Sequence, residues 1–229
     1  MQYMLLILRR RGVPPRPADA SFAEMGVYAQ QLGEKLCGGA PLTPEEQGRR
    51  VRARRGKIET VDGPFAESKE VIGGYFMLDV KTDAEALELA KRCPATRGGL
   101  VELHAMDIID PDGVANEGKR YLLLFLVGPT PDADFDPAQL GTMTKWMHDL
   151  AAQKKRAKSG KLADAGQRIE VRDGTTHVID GPFVESKEVV GGYAIVRAKS
   201  LGEAVELAKT CPHLGWGEIE VREIVNVPG

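Results

Sequence analysis

A fourteen-residue stretch occurs twice in this chain. It runs Asp62-Gly63-Pro64-Phe65-Ala66-Glu67-Ser68-Lys69-Glu70-Val71-Ile72-Gly73-Gly74-Tyr75, and it returns from Asp180 to Tyr193. The two copies differ only at Ala66/Val184 and Ile72/Val190, and their offset is 118 residues. That offset holds without a gap outside the stretch. Tyr3-Met4-Leu5-Leu6 faces Tyr121-Leu122-Leu123-Leu124, and Glu88-Leu89-Ala90-Lys91 faces Glu206-Leu207-Ala208-Lys209. Cys93-Pro94 faces Cys211-Pro212. The chain is therefore read as two copies of one domain, over 1–111 and 119–229, joined by the polar segment Asp110–Gly118.

Each copy gives the same pattern of elements. Residues 3–9 are apolar without alternation, which predicts a strand covered on both faces. Phe22, Met25, Tyr28 and Leu32 recur at helical spacing and predict a helix over 21–33; Leu140, Met143, Met147 and Leu150 repeat it. Arg50, Arg52 and Arg54 alternate with Val51 and Ala53 before Gly56, which predicts a hairpin over 49–61. A strand from Tyr75 to Val80, a helix over 83–92 that stops before Cys93-Pro94, and a strand over 100–109 complete the unit. The order βαβββαβ is a split βαββαβ, ferredoxin-like arrangement with an extra hairpin strand, an α+β fold. Its helices cover one sheet face, so the apolar first strands need a partner on the other. Two sheets in one chain meet that need as a pseudo-twofold, dimeric-type α+β barrel; pairing with a second chain, as a homodimer, is the alternative.

Composition excludes several classes. With 229 residues, 42% hydrophobic and 28% charged, the chain is an ordinary globular protein. A net charge of -2 gives no global field for nucleic acid. The basic runs Arg9-Arg10-Arg11, Arg49 to Arg55 and Lys154 to Lys158 lack the interleaved aromatics of a nucleic-acid surface. The longest apolar run, Tyr121 to Val127, is too short to span a bilayer. Basic residues follow the first apolar run, the reverse of a secretory signal, and Cys37, Cys93 and Cys211 are sparse. The expected compartment is the cytoplasm.

The repeated stretch Asp-Gly-Pro-Phe-x-Glu-Ser-Lys-Glu-x-x-Gly-Gly-Tyr resembles the signature of the DGPF proteins of the YCII-related domain family. The similarity covers both halves. The resemblance implies a dimeric α+β barrel and a function mostly unassigned. Related YCII-type domains look like muconolactone-isomerase-type enzymes with a His–Asp pair in a pocket. DGPF proteins are also often encoded beside extracytoplasmic-function sigma factors, which makes a sigma factor a candidate partner. In the helix where the family pattern has a histidine, the first copy has Gln30 opposite His148 of the second.

The motif supplies the candidate site. Asp62 and Asp180 suit a turn, Asp-Gly-Pro being turn chemistry, but at a strand mouth they are also candidates for a general acid or base. His148 is the third catalytic candidate, with its carboxylate partner drawn from elsewhere, because Asp149 beside it points about 100° away. Glu67, Lys69, Tyr75, Glu185, Lys187 and Tyr193 are the candidate ligand-binding residues, the lysines holding an anion. Glu-Ser-Lys-Glu between the turn and Gly73-Gly74 is the part that backbone demands explain least. Phe65 and Phe183 read as core anchors, and the glycine pairs as bulges. No metal-ligand spacing, phosphate loop or cofactor motif is present in the sequence. The reading is a cofactor-independent pocket for a small organic anion, either an isomerase- or lyase-like site for proton transfer or a binding site. The alternative is a protein-interaction module.

Overall fold

The computed structural model describes the chain apart from residues 13–17, 111–117, 129–136, 182, 184–187 and 227–229; the side chains of 18–21, 107–110, 137 and 164 also lie outside it. The first half contains β1 (Gln2–Arg10), α1 (Ala18–Leu32), β2 (Leu36–Pro41), β3 (Arg49–Arg54), β4 (Lys57–Asp62), β5 (Glu70–Asp79), α2 (Asp83–Lys91) and β6 (Leu100–Asp110). The second contains β7 (Lys119–Val127), α3 (Pro137–Ala152), β8 (Arg156–Arg172), β9 (Thr175–Asp180), β10 (Val189–Ala198), α4 (Leu201–Lys209) and β11 (Glu218–Glu223).

The expected helices, hairpins and first strands are present. Strand β2 is the addition. Its sequence, Leu36-Cys37-Gly38-Gly39-Ala40-Pro41, has no strand signature, and pairing with β5 makes it one. Close approach accounts for a glycine here: a Cβ at Gly39 would lie 2.5 Å from the Phe76 ring. The glycine pairs are bulges, as expected, but they lie inside strands. The β1–β5 register slips between Ile7/Gly74 and Leu8/Ile72, leaving Gly73 unpaired, and Gly191 repeats this between β7 and β10. Strand β5 accordingly begins at Glu70, before the expected start at Tyr75.

Strand order is β2-β5-β1-β6-β8-β10-β7-β11-β3-β4, with β9 beside β8. The hairpins are exchanged. Hairpin β3–β4 of the first half pairs with β11 of the second, and the hairpin β8–β9 pairs with β6 of the first. Strand β8 is long enough to pair with β10 along one part and β6 along the other. In the first half the same path is interrupted after β2, and the bridge Leu42–Ile224 closes the ring. Backbone bonds Thr43 N to Glu223 O and Val225 N to Pro41 O, both 3.0 Å, hold that seam.

Closure explains the apolar first strands. Met4, Leu6 and Leu8 point into the barrel with Leu122, Leu124, Leu126, Tyr75 and Tyr193. Tyr3 and Leu5 point outward under Tyr28, Leu32 and Leu89 of α1 and α2. Tyr121, Leu123 and Phe125 do the same under α3 and α4. The exchange reaches the outer cores as well, since Val51 packs in the second half's and Ile169 in the first half's. No described helix is long and apolar enough to cross a membrane.

Candidate functional site

Strand alternation aims every second residue of β3, β6, β8 and β11 into the barrel. Toward one end these residues are charged. Arg50 lies directly across from Glu220, and Arg168 across from Glu102, in antiparallel register. Arg50 and Arg168 are equivalent under the 118-residue offset, as are Glu102 and Glu220. Cross-strand pairing and hairpin exchange therefore build the same ion pair twice, each time with one partner from each half.

A cavity of about 60 Å³ opens at this place, lined by residues of both halves. Arg50/Arg168, Glu70/Glu188, Glu102/Glu220, Leu8/Leu126 and Ile72/Val190 are equivalent pairs across it, so it sits on the pseudo-twofold axis. Glu45, Ser68, Lys69 and Val71 of the first half complete the described lining.

Each arginine holds two carboxylates. Arg50 donates from Nε and Nη2 to Glu220 at 3.1 and 2.9 Å, and from Nη1 to Glu188 at 2.9 Å. Arg168 donates from Nε to Glu102 at 2.7 Å and from Nη2 to Glu70 at 3.0 Å. The carboxylates differ in depth. Side-chain exposure is 5% for Glu102 and 6% for Glu220, against 16% for Glu70 and 23% for Glu188.

The repeated motif builds the walls. The guanidinium of Arg50 lies 4.4 Å over the Phe65 ring, and that of Arg168 lies 4.3 Å over Phe183. The motif phenylalanines are thus core anchors, as expected, and also hold the arginines by cation–π contact. Ser68 accepts from Arg50 at 2.9 Å and donates to Glu188 at 3.0 Å. Arg11 binds Glu45 through both Nη groups at 2.8 Å and reaches the carbonyls of Ser68 and Phe65, fastening the first motif loop. Gly63 lies so close to Glu45 that a Cβ would come within 1.9 Å of its carbonyl oxygen.

Behind Glu102 stands the fully buried His104, with Nε2 at 3.2 Å from Glu102 Oε2 and Nδ1 at 3.3 Å from the Ala163 carbonyl. Behind Glu220 stands Arg222, donating to Glu220 at 2.8 Å and to the Thr43 carbonyl. Burial opposes ionisation of Glu102, but His104 and then Arg168 outweigh it and hold the carboxyl below the usual carboxylate range. Burial likewise opposes the charge on Glu45, and Arg11 and the Phe65 N–H outweigh it.

Several residues expected at the site lie elsewhere. Asp62 is 75% exposed at the end of β4 and pairs with Arg49 at 2.8 Å, outside the lining. Asp180 is exposed at the end of β9 and accepts from Gln167 at 2.8 Å. Both lack the burial that the acid–base reading required. His148 is exposed on α3, outside the lining. Glu67 is exposed and stands 3.7 Å from Arg52. Tyr75 and Tyr193 are buried in the apolar interior, outside the lining. Burial pushes the Tyr75 hydroxyl up to about 12. Tyr193 Oη meets the sulfurs of Met106 and Met77 at 3.6 and 3.9 Å. Lys69 does line the cavity, whereas Glu185 and Lys187 lie outside the described residues.

Arg50, Arg168, Glu102 and Glu220 were the residues missed. The signal was present: they recur at the 118-residue offset. Burial pushes the Cys93 and Cys211 thiols up to about 12, so neither is an activated nucleophile. Among the described residues no group of three or more His, Cys, Asp or Glu could hold a metal ion.

Comparison with known proteins agrees with this duplicated architecture. The uncharacterised protein R00369 of Rhizobium meliloti (strain 1021) is 33% identical over a match covering 34% of this chain and 72% of that protein. A solved structure described as a candidate chlorite dismutase, TA0507, superposes with a TM-score of 0.45 and 8% identity, covering 98% of this chain and 94% of that one. The sequence profile of the YCII-related domain matches residues 1–107 and again 122–228. The chain thus belongs to the YCII-related domain family, carrying the domain as two tandem copies.

Proposed function

We propose that the protein binds a small organic anion, without a cofactor, in the cavity between its halves, and that Arg50 and Arg168 hold it. The observation that carries this reading is the convergence of two arginines, one lysine and five glutamates, drawn from both halves, on one cavity. Burying such a cluster is costly, and well-packed apolar residues would often be as stable, so its cost points to a use.

The depth difference suggests how a ligand enters. Glu102 and Glu220 sit within strands, are nearly fully buried and stay with their arginines. Glu70 and Glu188 stand beside the motif loops and are partly exposed. A ligand carboxylate can replace either of them on the guanidinium, trading one charge-assisted pair for another at little net cost. The displaced glutamate then stands beside the ligand as a base. On this reading the anion is held by arginines rather than lysines, with Lys69 at the lining. The proton-transfer role is thereby assigned to the motif glutamates Glu70 and Glu188 in place of the motif aspartates. The space suits one small acid or a few ordered waters.

Thermal shift and calorimetry with succinate, malonate and acetate, against the uncharged succinamide at fixed ionic strength, test this. Carboxylates are expected to raise the melting temperature. The double variant Glu70→Gln/Glu188→Gln, which removes the competing charges and keeps the shape, is expected to bind them about tenfold tighter. Carboxylates binding no better than succinamide, or no tighter to the variant, would overturn the proposal.

A further inference from the structure

The two half-sites share their arginines and paired glutamates but differ behind the deep glutamates. Arg222 touches two acceptors, the Glu220 carboxylate and the Thr43 carbonyl. Its counterpart His104 also faces two acceptors, the Glu102 carboxylate and the Ala163 carbonyl, one at each ring nitrogen. A neutral imidazole has one N–H and would turn a lone pair toward one of these oxygens; the doubly protonated ring satisfies both. Both half-sites cradle the residue in the same way. A Cβ at Gly166 would fall 2.5 Å from the His104 ring, and one at the equivalent Gly48 would fall 2.5 Å from Arg222 Cδ. The charged groups facing His104 are few among the described residues. Its own strand offers Glu102, β8 offers Arg168 and, through it, Glu70, and β1 offers the apolar Met4.

We infer that Glu102 and His104 are a proton-loading pair that makes the first half-site an acid, while Glu220 and Arg222 give the second half-site a fixed charge. An arginine does not release its proton in this range and a histidine does. The step balances without a redox partner. The Nε2–H bond of His104 breaks as an O–H bond forms on Glu102. That proton then passes from Glu102, which lines the cavity, to a basic atom of the ligand. The neutral ring keeps its Nδ1–H on the Ala163 carbonyl, and water restores the proton. Glu102 is the group that meets the ligand, and His104 is a positioning residue that charges it. The delivery step rests on the ligand reading above; the charge on the ring does not.

Nitrogen-15 NMR of histidine in the full chain, titrated from pH 5 to 9 without ligand, reads that charge directly. The expected result is that both ring nitrogens of His104 are protonated at the acid end and that one is lost as the pH rises. Glu102→Gln is expected to move the loss to lower pH by about one unit or more. Arg222→His, which copies the pair into the second half, is expected to add a second histidine with the same behaviour. A ring that stays a single neutral tautomer throughout overturns the inference, as does a titration unmoved by Glu102→Gln. In succinate calorimetry at pH 7.5 in two buffers of different ionisation enthalpy, proton uptake is expected to vanish in His104→Arg. Absence of succinate binding would count against the cavity reading alone, because the NMR result stands without it.

Discussion

At the scale of single residues, the motif is explained by what surrounds the arginines. Phe65 is buried at 3% exposure beneath Arg50. Phe65→Leu keeps most of the volume and loses the cation–π contact, so it should cost about 2 kcal/mol in urea denaturation. Gly63→Ala should be far more damaging, because the clash is with backbone. His213 gives the clearest pH dependence. Burial lowers it to about 4, with Nε2–H donating to the Leu126 carbonyl at 2.9 Å. The unfolded chain protonates this histidine near pH 6.5, so between about 6.5 and 4 the unfolded state binds more protons. Stability should therefore fall by roughly 3 kcal/mol as the pH drops through that window, then level off. His213→Ala, which places there the residue found at the equivalent Ala95, should flatten this slope whatever its effect on absolute stability. Glu45 and Glu102 act lower. Their contribution is full above the ordinary carboxylate value and is lost as pH falls through their depressed folded values.

At the scale of elements, the short helices owe their starts to local chemistry and their places to packing. Ser200 accepts from the Glu203 N–H at 3.2 Å, and Thr82 accepts from that of Glu85 at 3.1 Å. Ser200→Ala should cost about 1 kcal/mol by chemical denaturation. The hairpins and the bulges were legible, because each is decided by a few neighbouring residues. Strand β2 was not, because its glycines and proline become a strand only by lying against β5. The destination of the hairpins was not legible either. Alternation of Arg50, Val51 and Arg52 predicts a strand, but nothing in it says that Val51 will pack in the other half's core.

For the whole molecule, hairpin exchange makes the halves interdependent. Each barrel seam joins a strand of one half to a strand of the other, and each outer core contains a residue from across the axis. A first-half fragment ending before the linker should therefore not persist as a folded monomer. It should instead form a homodimer that rebuilds the barrel, since a second fragment offers equivalent strands. Light scattering after size-exclusion chromatography checks this, and a stably folded monomeric half would contradict it. The same architecture puts the cavity on the pseudo-twofold axis, where each half contributes one arginine and two glutamates as equivalent pairs and the difference of His104 against Arg222 becomes chemically significant.

The sequence by itself determined the duplication, the family, the types of the elements other than β2 and the need of the first strands for cover on both faces. These follow from local propensity, from period-two and helical patterning, and from a repeat that needs no geometry to be seen. The tertiary structure decided which polar residues meet. Asp62 and Asp180 belong to the most repeated stretch, yet they end in solvent because the hairpin strands that carry them are outermost. Arg50 and Glu220 are 170 residues apart and become neighbours because a hairpin crosses to the other half and one strand pairing fixes their register. Charge clusters are made by long-range pairing, and long-range pairing is what a linear pattern does not encode locally.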